Sequence, residues 1–205
     1  MQRKDKIRIE GKLVCDFTSG AVNHRYRFGG GRGQTLPKAI GMKSGKSPDV
    51  VDATAGLGGD AFLLASLGAR VTLIERSPYM YELLQTGMEH AKNKGGDVAE
   101  IISRMTLIFG DAIEILPTLS PEVILVDPMH PPRKKSALVK QEMRLIRNIV
   151  GTDEDAVLLM KVALATASKR AVLKWPRLAA PMAGIPLPSH QITGKSTRYD
   201  VFMLG

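Results

Sequence analysis

The hydrophobic positions of this chain come in short runs with two different spacings, and polar turns separate the runs. Short runs of apolar or β-branched residues predict strands, whereas apolar residues that recur every three or four positions predict helices. Strands are predicted at residues 50–52, 70–74, 105–109, 122–126, 170–174, 191–193 and 199–204. Helices are predicted at residues 36–42, 61–67, 77–93, 112–116, 136–150 and 153–165, and residues 1–20 predict a short β-hairpin or arm. Strands that alternate with helices indicate an α/β fold with a doubly wound, mostly parallel sheet, which the C-terminal strands close in antiparallel fashion.

Residues 48–75 predict a strand–turn–helix–strand unit whose turn is rich in glycine. Gly56, Gly58 and Gly59 follow the first strand, and the second strand ends on Glu75. Glycine lets the backbone approach a ligand closely, and the first N–H groups of the following helix are left unpaired. An acid about 20 residues further on is placed to accept hydrogen bonds from ribose hydroxyls. This pattern predicts a nucleotide site, and a glycine turn that only packs helix on strand is the alternative.

Asp52 narrows the class of nucleotide. It stands four residues before Gly56 and gives the pattern D-x-x-x-G-x-G, which resembles the first motif of class I (Rossmann-like) S-adenosylmethionine-dependent methyltransferases. In those enzymes the early acid helps to orient the turn and the methionine end of the cofactor. The glycines alone do not decide, because a dinucleotide fingerprint tolerates Ala61 at its third glycine position. A nicotinamide-dependent oxidoreductase therefore stays an alternative.

Two later positions extend the predicted cofactor site towards the adenine. Arg76 lies directly beside the ribose acid and is placed to reach the adenine region. Asp111 follows the third strand, where this fold class commonly has an acid that receives the adenine amino group. The alternative role for Asp111 is to cap the helix that begins at Ala112, and the two roles are compatible.

The fourth strand, residues 122–126, is apolar throughout, as expected for a strand buried on both faces. It runs into the sequence D-P-M-H-P, which resembles the D-P-P-Y class of motif in methyltransferases that modify exocyclic amines of bases. Such an amine is a weak nucleophile because its lone pair is delocalised into the ring. Hydrogen-bond acceptors held against its N–H groups favour the more nucleophilic form. Positioning of the two reactants then lowers the activation barrier by ~7–11 kcal/mol. Asp127, Pro128 and His130 are thus the predicted catalytic residues, with a proline-rich loop that merely ends a strand as the alternative.

Composition adds a prediction about the partner. The 205 residues include 29 Lys and Arg against 20 Asp and Glu, a net charge of +9. This balance favours a polyanionic partner, since phosphate contacts release condensed counterions, although a generally basic, well-solvated surface would give the same number. The single cysteine fits a reducing cytoplasm, no apolar run approaches the ~20 residues that cross a bilayer, and the histidines show no metal-ligand spacing. We therefore expect a cytoplasmic protein with neither metal nor membrane.

Basic residues concentrate at two places. Residues 21–34 interleave Arg25, Arg27 and Arg32 with aromatic residues around a glycine run. This pattern predicts a loop that clamps phosphates and stacks on a base, or else an ordinary linker. The second concentration follows the second motif and comprises Arg133, Lys134, Lys135, Lys140, Arg144 and Arg147. We predict a phosphate track there, and a solvated helix face is the alternative.

The two motifs, together with the segments around them, resemble one family closely. The segments are DFTSGAVNHRYRFGGGRGQ, DATAGLGGDAFLLASLG, DPMHPPRKKSALVKQEMR and the tail from KRAVLKWP to RYDVF. They are similar to the bacterial small-subunit ribosomal RNA guanine-N2 methyltransferase J family over nearly the whole chain from about Leu13. The resemblance implies S-adenosylmethionine as methyl donor and a guanine of small-subunit ribosomal RNA, free or in the 30S subunit, as target.

The resemblance also implies which residues contact the cofactor, and it shows three departures. Carried over by position, the contacts are Gly59, Asp60, Glu75, Arg76, Asp111, Ala112 and Asp127. Gly59 stands where relatives often carry arginine, so a side-chain contact to the cofactor is in question there. His130 replaces the usual aromatic residue of the second motif and stacks less strongly on a base. The N-terminal region is also shorter than family members tend to have.

The sequence thus predicts an N-terminal arm with a basic loop and a short helix (residues 1–47) and a methyltransferase domain (residues 48–205). The predicted function is methylation of guanine N2 in small-subunit ribosomal RNA. An amine methyltransferase acting on DNA or another RNA shares both motifs and is one alternative. A non-catalytic RNA-binding module is another, and it would bind RNA with strong salt dependence but no cofactor. Nothing in the sequence predicts an oligomeric state.

Overall fold

A computed structural model describes residues 13–43, 47–129 and 155–205 of the chain. The strands are β1 (Asp49–Asp52), β2 (Arg70–Glu75), β3 (Met105–Phe109), β4 (Val123–Val126), β5 (Arg170–Pro176), β6 (His190–Thr193) and β7 (Thr197–Met203). They form one seven-stranded sheet in the order β3-β2-β1-β4-β5-β7-β6. Strand β7 is antiparallel to both of its neighbours, and every other pair is parallel. The predicted doubly wound, mostly parallel α/β fold is confirmed.

Helices cover both faces of the sheet. They are α1 (Gly20–Phe28), α2 (Thr35–Ile40), α3 (Gly59–Ser66), α4 (Pro78–Lys94), α5 (Gly96–Ile102), α6 (Ala112–Ile115) and α7 (Ala156–Thr166). Ser77 caps α4 by accepting a hydrogen bond from the Met80 N–H, as its position before Pro78 predicts. The elements predicted from residue 36 onwards are confirmed to within a few residues, and the helix predicted at 136–150 lies outside the described residues.

Strand residues alternate between two apolar cores. Val50 and Leu125 pack with α2, α3, α4 and α5 on one face, whereas Val51 and Ile124 pack with α6 and α7 on the other. All residues of β4 are buried, which confirms the prediction from its continuous apolar run. The carboxyl ends of the strands are therefore held in a fixed position between two layers of helices.

The chain before β1 differs from two predictions. Residues 13–19 form no strand; Phe17 instead stacks on Phe62 of α3 at 5.1 Å between ring centroids, so contact with a helix and not a ladder buries this segment. The predicted glycine loop over residues 21–34 is also wrong for its first part, which is helix α1. Val22 and Tyr26 are four residues apart and therefore share the helix face that packs on the core. The first part of the hairpin or arm predicted over residues 1–20, residues 1–12, lies outside the described residues.

Gly87 of α4 lets the segment around Cys15 approach the helix closely. A Cβ atom built on Gly87 would lie 2.6 Å from the Cys15 carbonyl oxygen and 2.8 Å from its Sγ. Neither distance is compatible with a normal van der Waals contact. The buried segment before α1 thus depends on the absence of a side chain at this position.

We expect Gly87→Ala to lower the melting temperature, Tm, by several degrees. Alanine favours a helix over glycine by ~1 kcal/mol, but the added methyl must displace the backbone of residue 15, and overpacking costs ~1–3 kcal/mol. Thermal unfolding measures the outcome. Thr86→Ala, at the exposed neighbouring position of the same helix, serves as the control, and its gain in helix propensity without a new buried contact should leave Tm equal or slightly higher. A Tm that rises in Gly87→Ala would contradict the close packing.

Candidate active site

A cleft with a volume of about 290 Å³ opens at the edge of the sheet where β1, β2, β4 and β5 end. The strand order reverses here, since β1 lies between β2 and β4. Open α/β sheets bind ligands at this kind of switch point, outside the carboxyl ends of the strands. Both motifs singled out from the sequence contribute residues to the cleft.

The glycine turn connects β1 to α3 at one side of the cleft. Gly56 and Gly58 have φ values of +54° and +69°, in the left-handed region that favours glycine. A Cβ atom at Gly58 would lie 2.8 Å from Leu84 Cδ1 and 3.1 Å from Phe17 Cζ. Gly56 and Gly59 line the cleft, whereas Gly58 lies behind them against the core. The turn therefore needs its glycines both for backbone conformation and for packing.

Glu75 braces the turn from the end of β2. Its Oε2 accepts a hydrogen bond from the Gly56 N–H at 3.0 Å, and its Oε1 accepts one from the Ser77 N–H at 2.9 Å. The side chain is buried, and burial raises its pKa above the ordinary glutamate value. Each carboxylate oxygen keeps a second lone pair that can accept a hydrogen bond from a ligand hydroxyl, which suits the predicted role at a ribose.

The far end of the cleft combines an ion pair with apolar residues. Arg76 Nη1 lies 2.5 Å from Asp155 Oδ2 and 3.8 Å from Asp111 Oδ2. Asp111 also caps α6 by accepting a hydrogen bond from the Ile113 N–H at 2.8 Å, so its predicted capping role is confirmed. Ile74, Ala112, Ile113 and Leu159 add apolar surface to this part of the cleft. A flat apolar ring with a polar edge fits such a lining.

The ammonium group of Lys174 joins two carboxylates inside the cleft, an arrangement we call the Lys174 bridge. Its Nζ lies 2.8 Å from Asp60 Oδ2 and 2.6 Å from Asp127 Oδ2. Arg25 of α1 places Nη1 2.5 Å from Asp60 Oδ1. Burial opposes charge on these groups, but the two cations hold the pKa of Asp60 below its ordinary value, and the two carboxylates hold the pKa of Lys174 above its own.

The first motif also holds the second motif in place. The backbone N–H of Asp127 donates a hydrogen bond to the Thr54 hydroxyl at 2.7 Å. Thr54 in turn donates its own N–H to Asp52 Oδ1 at 3.2 Å. The D-x-T sequence at the end of β1 thus positions the aspartate at the end of β4, although 73 residues separate Thr54 from Asp127.

Asp52 is almost completely buried, with 3% of its surface exposed. Burial, together with repulsion from the Asp60 carboxylate, raises the pKa of Asp52 to about 7. The hydrogen bond from Thr54 only partly offsets this increase. Asp52 is therefore a carboxyl that titrates near neutral pH and gains from a cation placed beside it.

The cleft is acidic although the chain as a whole is basic. Among the described residues that line it, the acids are Asp52, Asp60, Glu75, Asp111, Asp127 and Asp155. The basic lining residues in the same part of the chain are Arg25, Arg76 and Lys174. Six acids against three bases give the cleft an excess of negative charge, which suits a ligand that carries positive charge.

Two of the arginines predicted to contact RNA are engaged within the protein. Arg25 pairs with Asp60 and donates through Nε to Gln34 Oε1 at 3.0 Å. Arg32 donates to the carbonyl oxygens of Lys43 and Leu67 at 3.0 and 2.9 Å. Arg27 is exposed on α1. Their predicted glycine-loop setting is replaced by a helix and a 3-10 turn (Gly31–Gly33) because α1 packs on the core.

The remaining predicted residues lie outside the described part of the chain, and their assignments stay predictions. They are His130, Arg133, Lys134, Lys135, Lys140, Arg144 and Arg147. Within the described ranges, no group of three His, Cys, Asp or Glu residues is arranged to hold a metal ion. No helix of those ranges has the length and apolar character that crossing a membrane requires.

The sequence prediction missed Lys174 as a site residue. Strand β5 pairs with β4 so that Leu173 lies opposite Val126, which makes Lys174 and Asp127 the next positions on the two strands. A lysine near the carboxyl end of the otherwise apolar run R-A-V-L-K is the signal that could have identified it. The register between the two strands, which the sequence does not give, was needed to interpret that signal.

Comparisons with known proteins agree with the geometry. A family model described as "Putative SAM-dependent methyltransferase" matches residues 1–204. A relative from Agrobacterium fabrum named ribosomal RNA small subunit methyltransferase J is 63% identical over 94% of this chain and 92% of its own length. Its namesake from Brucella anthropi is 63% identical over 94% of both chains. The crystal structure of a SAM-dependent methyltransferase from Neisseria gonorrhoeae matches with a TM-score of 0.75 and 37% identity, over 96% of this chain and 76% of that chain.

We expect Asp52→Asn to stabilise the free protein increasingly as the pH rises. The raised pKa of Asp52, about 7 against 3.8 unperturbed, means that the folded protein binds an extra proton between these values, so wild-type stability falls as the pH rises through this window. The side chain of asparagine does not titrate, and its oxygen can still accept the hydrogen bond from the Thr54 N–H.

Thermal unfolding at pH 5, 6, 7 and 8 tests this expectation. The Tm of Asp52→Asn should exceed that of the wild type by a margin that widens up to about pH 7 and then levels off, reaching several degrees. Asp49→Asn, which changes an exposed acid of the same strand, is the control and should show no widening. A margin for Asp52→Asn that stays constant with pH would refute the buried, near-neutral carboxyl.

Proposed function

This chain belongs to the S-adenosylmethionine-dependent methyltransferase family that includes ribosomal RNA small subunit methyltransferase J, and we propose that it methylates the exocyclic N2 of a guanine in small-subunit ribosomal RNA. One observation carries the proposal. Asp127 of the amine-type motif lines the same cleft as the glycine turn and Glu75, and Thr54 of the first motif fixes its backbone. A methyl donor and an amine acceptor can therefore meet at one sheet edge.

The residues of the cleft fit S-adenosylmethionine along its whole length. Glu75 is placed for the ribose hydroxyls, and the apolar surface beside Asp111 and Ala112 suits the adenine. Asp52 and Asp60 also line the cleft, and their carboxyl groups would hold the positively charged methionine end of the cofactor. A Cβ atom at Gly59 would meet only Val22 Cγ2, at 3.7 Å. Gly59, where the family resemblance leads us to expect an arginine, therefore leaves this part of the cleft open, and we propose that the acidic residues provide more of the binding.

The protein contributes to methyl transfer mainly by positioning the reactants. S-adenosylmethionine, when bound, supplies an electrophilic methyl group on a sulfonium sulfur. Asp127 and the Pro128 carbonyl accept hydrogen bonds from the guanine amino group, which draws the nitrogen lone pair out of conjugation with the ring. That lone pair forms the new N–C bond while the electrons of the broken C–S bond stay on sulfur. The surplus proton on nitrogen leaves to Asp127 or to water.

Helix α1 offers a surface for the RNA beside the cleft. Phe28 is 73% exposed, and its ring lies 5.1 Å from the ring of His24. Both residues lie on the side of the helix next to Arg25, which lines the cleft. Arg27 is exposed nearby. An aromatic pair with an adjacent arginine supports stacking on an unpaired base with a contact to phosphate, and this surface replaces the predicted flexible loop as the proposed RNA contact.

A methyl-transfer assay with labelled S-adenosylmethionine tests the function. Purified protein receives free small-subunit RNA, 30S subunits from cells lacking the modification, and duplex DNA in parallel, and the labelled nucleoside is then identified. We expect N2-methylguanosine in the small-subunit RNA. Label in DNA or in another nucleoside would overturn the substrate assignment, and RNA binding without any label or cofactor binding would favour a non-catalytic module.

Asp127→Asn provides the matched test of mechanism within that assay. The amide keeps the shape of the side chain but replaces a carboxylate oxygen with a donor, so kcat should fall ~10²–10⁴-fold, while calorimetry still detects cofactor binding. Asp97→Asn, which alters an exposed acid of α5, should retain wild-type turnover. Near-normal turnover in Asp127→Asn would remove Asp127 from the chemistry.

The α1 surface has a separate test. We expect the double variant Arg27→Gln/Phe28→Ala to raise KM for RNA about tenfold or more, since stacking of one base contributes ~1–3 kcal/mol, and to leave kcat and cofactor affinity within about twofold. The slope of the logarithm of the binding constant against the logarithm of salt concentration should also become shallower, by about the amount expected for one phosphate contact. Lys161→Gln removes one charge from an exposed position on α7 and is the control. An unchanged KM would exclude α1 as the RNA contact.

A further inference from the structure

We infer that Lys174 is a positioning residue for methyl transfer, which anchors the Asp127 carboxylate to Asp60 so that it accepts, and does not donate, the hydrogen bond to the substrate amine. The inference rests on the proposed function. It assigns a role to Lys174, a residue that belongs to neither motif. It concerns how the acceptor is held in its reactive state.

The fold holds Lys174 rigidly in place. It lies on β5, an interior strand between β4 and β7, and Tyr199 of β7 is its ladder partner. Only 25% of the lysine side chain is exposed. A long, flexible side chain held between two strands and two carboxylates loses most of its freedom during folding. The position of its ammonium group is thus set before any ligand arrives.

Asp60 provides the fixed end of the bridge. Its side chain is 13% exposed and stands in the first turn of α3. Its two oxygens are used by different cations, Oδ1 by Arg25 and Oδ2 by Lys174. Asp127 is held at two points as well, by Lys174 at Oδ2 and by Thr54 at its backbone N–H. The carboxylate that meets the substrate is therefore fixed both in place and in rotation.

The charges around the bridge explain why a cation is required. Among the described residues, the titratable groups around Lys174 are Asp52 at the end of β1, Asp60 on α3, Asp127 after β4 and Tyr199 on β7, with Arg25 of α1 on the other oxygen of Asp60. Burial raises the pKa of Tyr199 to about 12, so the phenol stays neutral. Asp52 already binds a proton near neutral pH with the ammonium group present. Without that group, Arg25 would be the cation of this set left to balance the carboxyls, and Asp127, whose Oδ2 the ammonium group contacts, would bind a proton at higher pH than before. A protonated Asp127 would offer an O–H to the amine and lose its function as acceptor.

The experiment compares Lys174→Gln with the conservative variant Lys174→Arg. The first readout is the pH dependence of kcat with 30S subunits or free RNA. We expect Lys174→Gln to lower kcat most at low pH and to move the midpoint of the acidic limb of the pH profile up by at least about one pH unit, so that activity recovers at higher pH. Lys174→Arg keeps the charge and should retain the wild-type midpoint.

The second readout needs no substrate and separates this inference from the proposed function. The ¹³C shift of the Asp127 carboxyl, assigned by its loss in Asp127→Asn, should titrate at higher pH in Lys174→Gln than in the wild type. If the wild type methylates no small-subunit RNA but this shift moves, the proposed function fails and the role of Lys174 as anchor stands. If the carboxyl titration and the acidic limb both stay unmoved while kcat falls equally at every pH, Lys174 is only structural and the inference is overturned.

A further variant keeps the test decisive should Lys174→Gln fail to fold. The pair Lys174→Gln/Asp60→Asn removes one positive and one negative charge together, so the net charge of the cleft does not change. Asp60→Asn alone is its reference. Relative to that reference, the pair should show the same upward movement of the Asp127 titration, and the absence of any movement would again overturn the inference.

Discussion

The structure around the cleft depends on one electrostatic constraint, the gathering of buried or partly buried carboxyl groups at a single sheet edge. Like charges in a partly buried site repel strongly and must be neutralised by protons or by cations. The protein uses both solutions. Asp52 is buried and has a raised pKa. Asp60 forms ion pairs with Arg25 and Lys174, and Asp127 forms an ion pair with Lys174. Removing one partner from such a set is more costly than the set itself is stabilising.

This constraint ties distant parts of the chain together. Arg25 brings α1 against α3, Lys174 connects β5 to the segment after β4, and Thr54 connects that segment to β1. The hydrophobic contacts of α1, such as Tyr26 on Phe62 at 6.0 Å between centroids, then act together with the ion pair. The region before β1 is consequently part of the site, because it supplies one of the cations that the acids require.

Local patterns in the sequence predicted the parts of the site that are built locally. The turn from Asp52 to Gly59, the acid at the end of β2 and the Ser77 cap each depend on residues close together in sequence, and each was found where predicted. Helix α1 was missed because its arginines and the glycine run directly after it, at residues 29–31, have the pattern of a basic loop and conceal the four-residue spacing of Val22 and Tyr26. Lys174 was missed because its partner Asp127 lies 47 residues away, and only the β4–β5 register brings them together.

The acidic lining of the cleft has a consequence for the order of events in a catalytic cycle. The methyl donor enters with a positively charged sulfur, and the spent molecule leaves with a neutral thioether. The described residues of the walls, with six acids against three bases, attract the charged form more strongly than the neutral one. The reaction therefore cancels part of the attraction that brought the donor in. Transfer of the methyl group weakens the hold of the site on what remains, so the same carboxyl groups that capture the donor also favour its exchange for a fresh molecule.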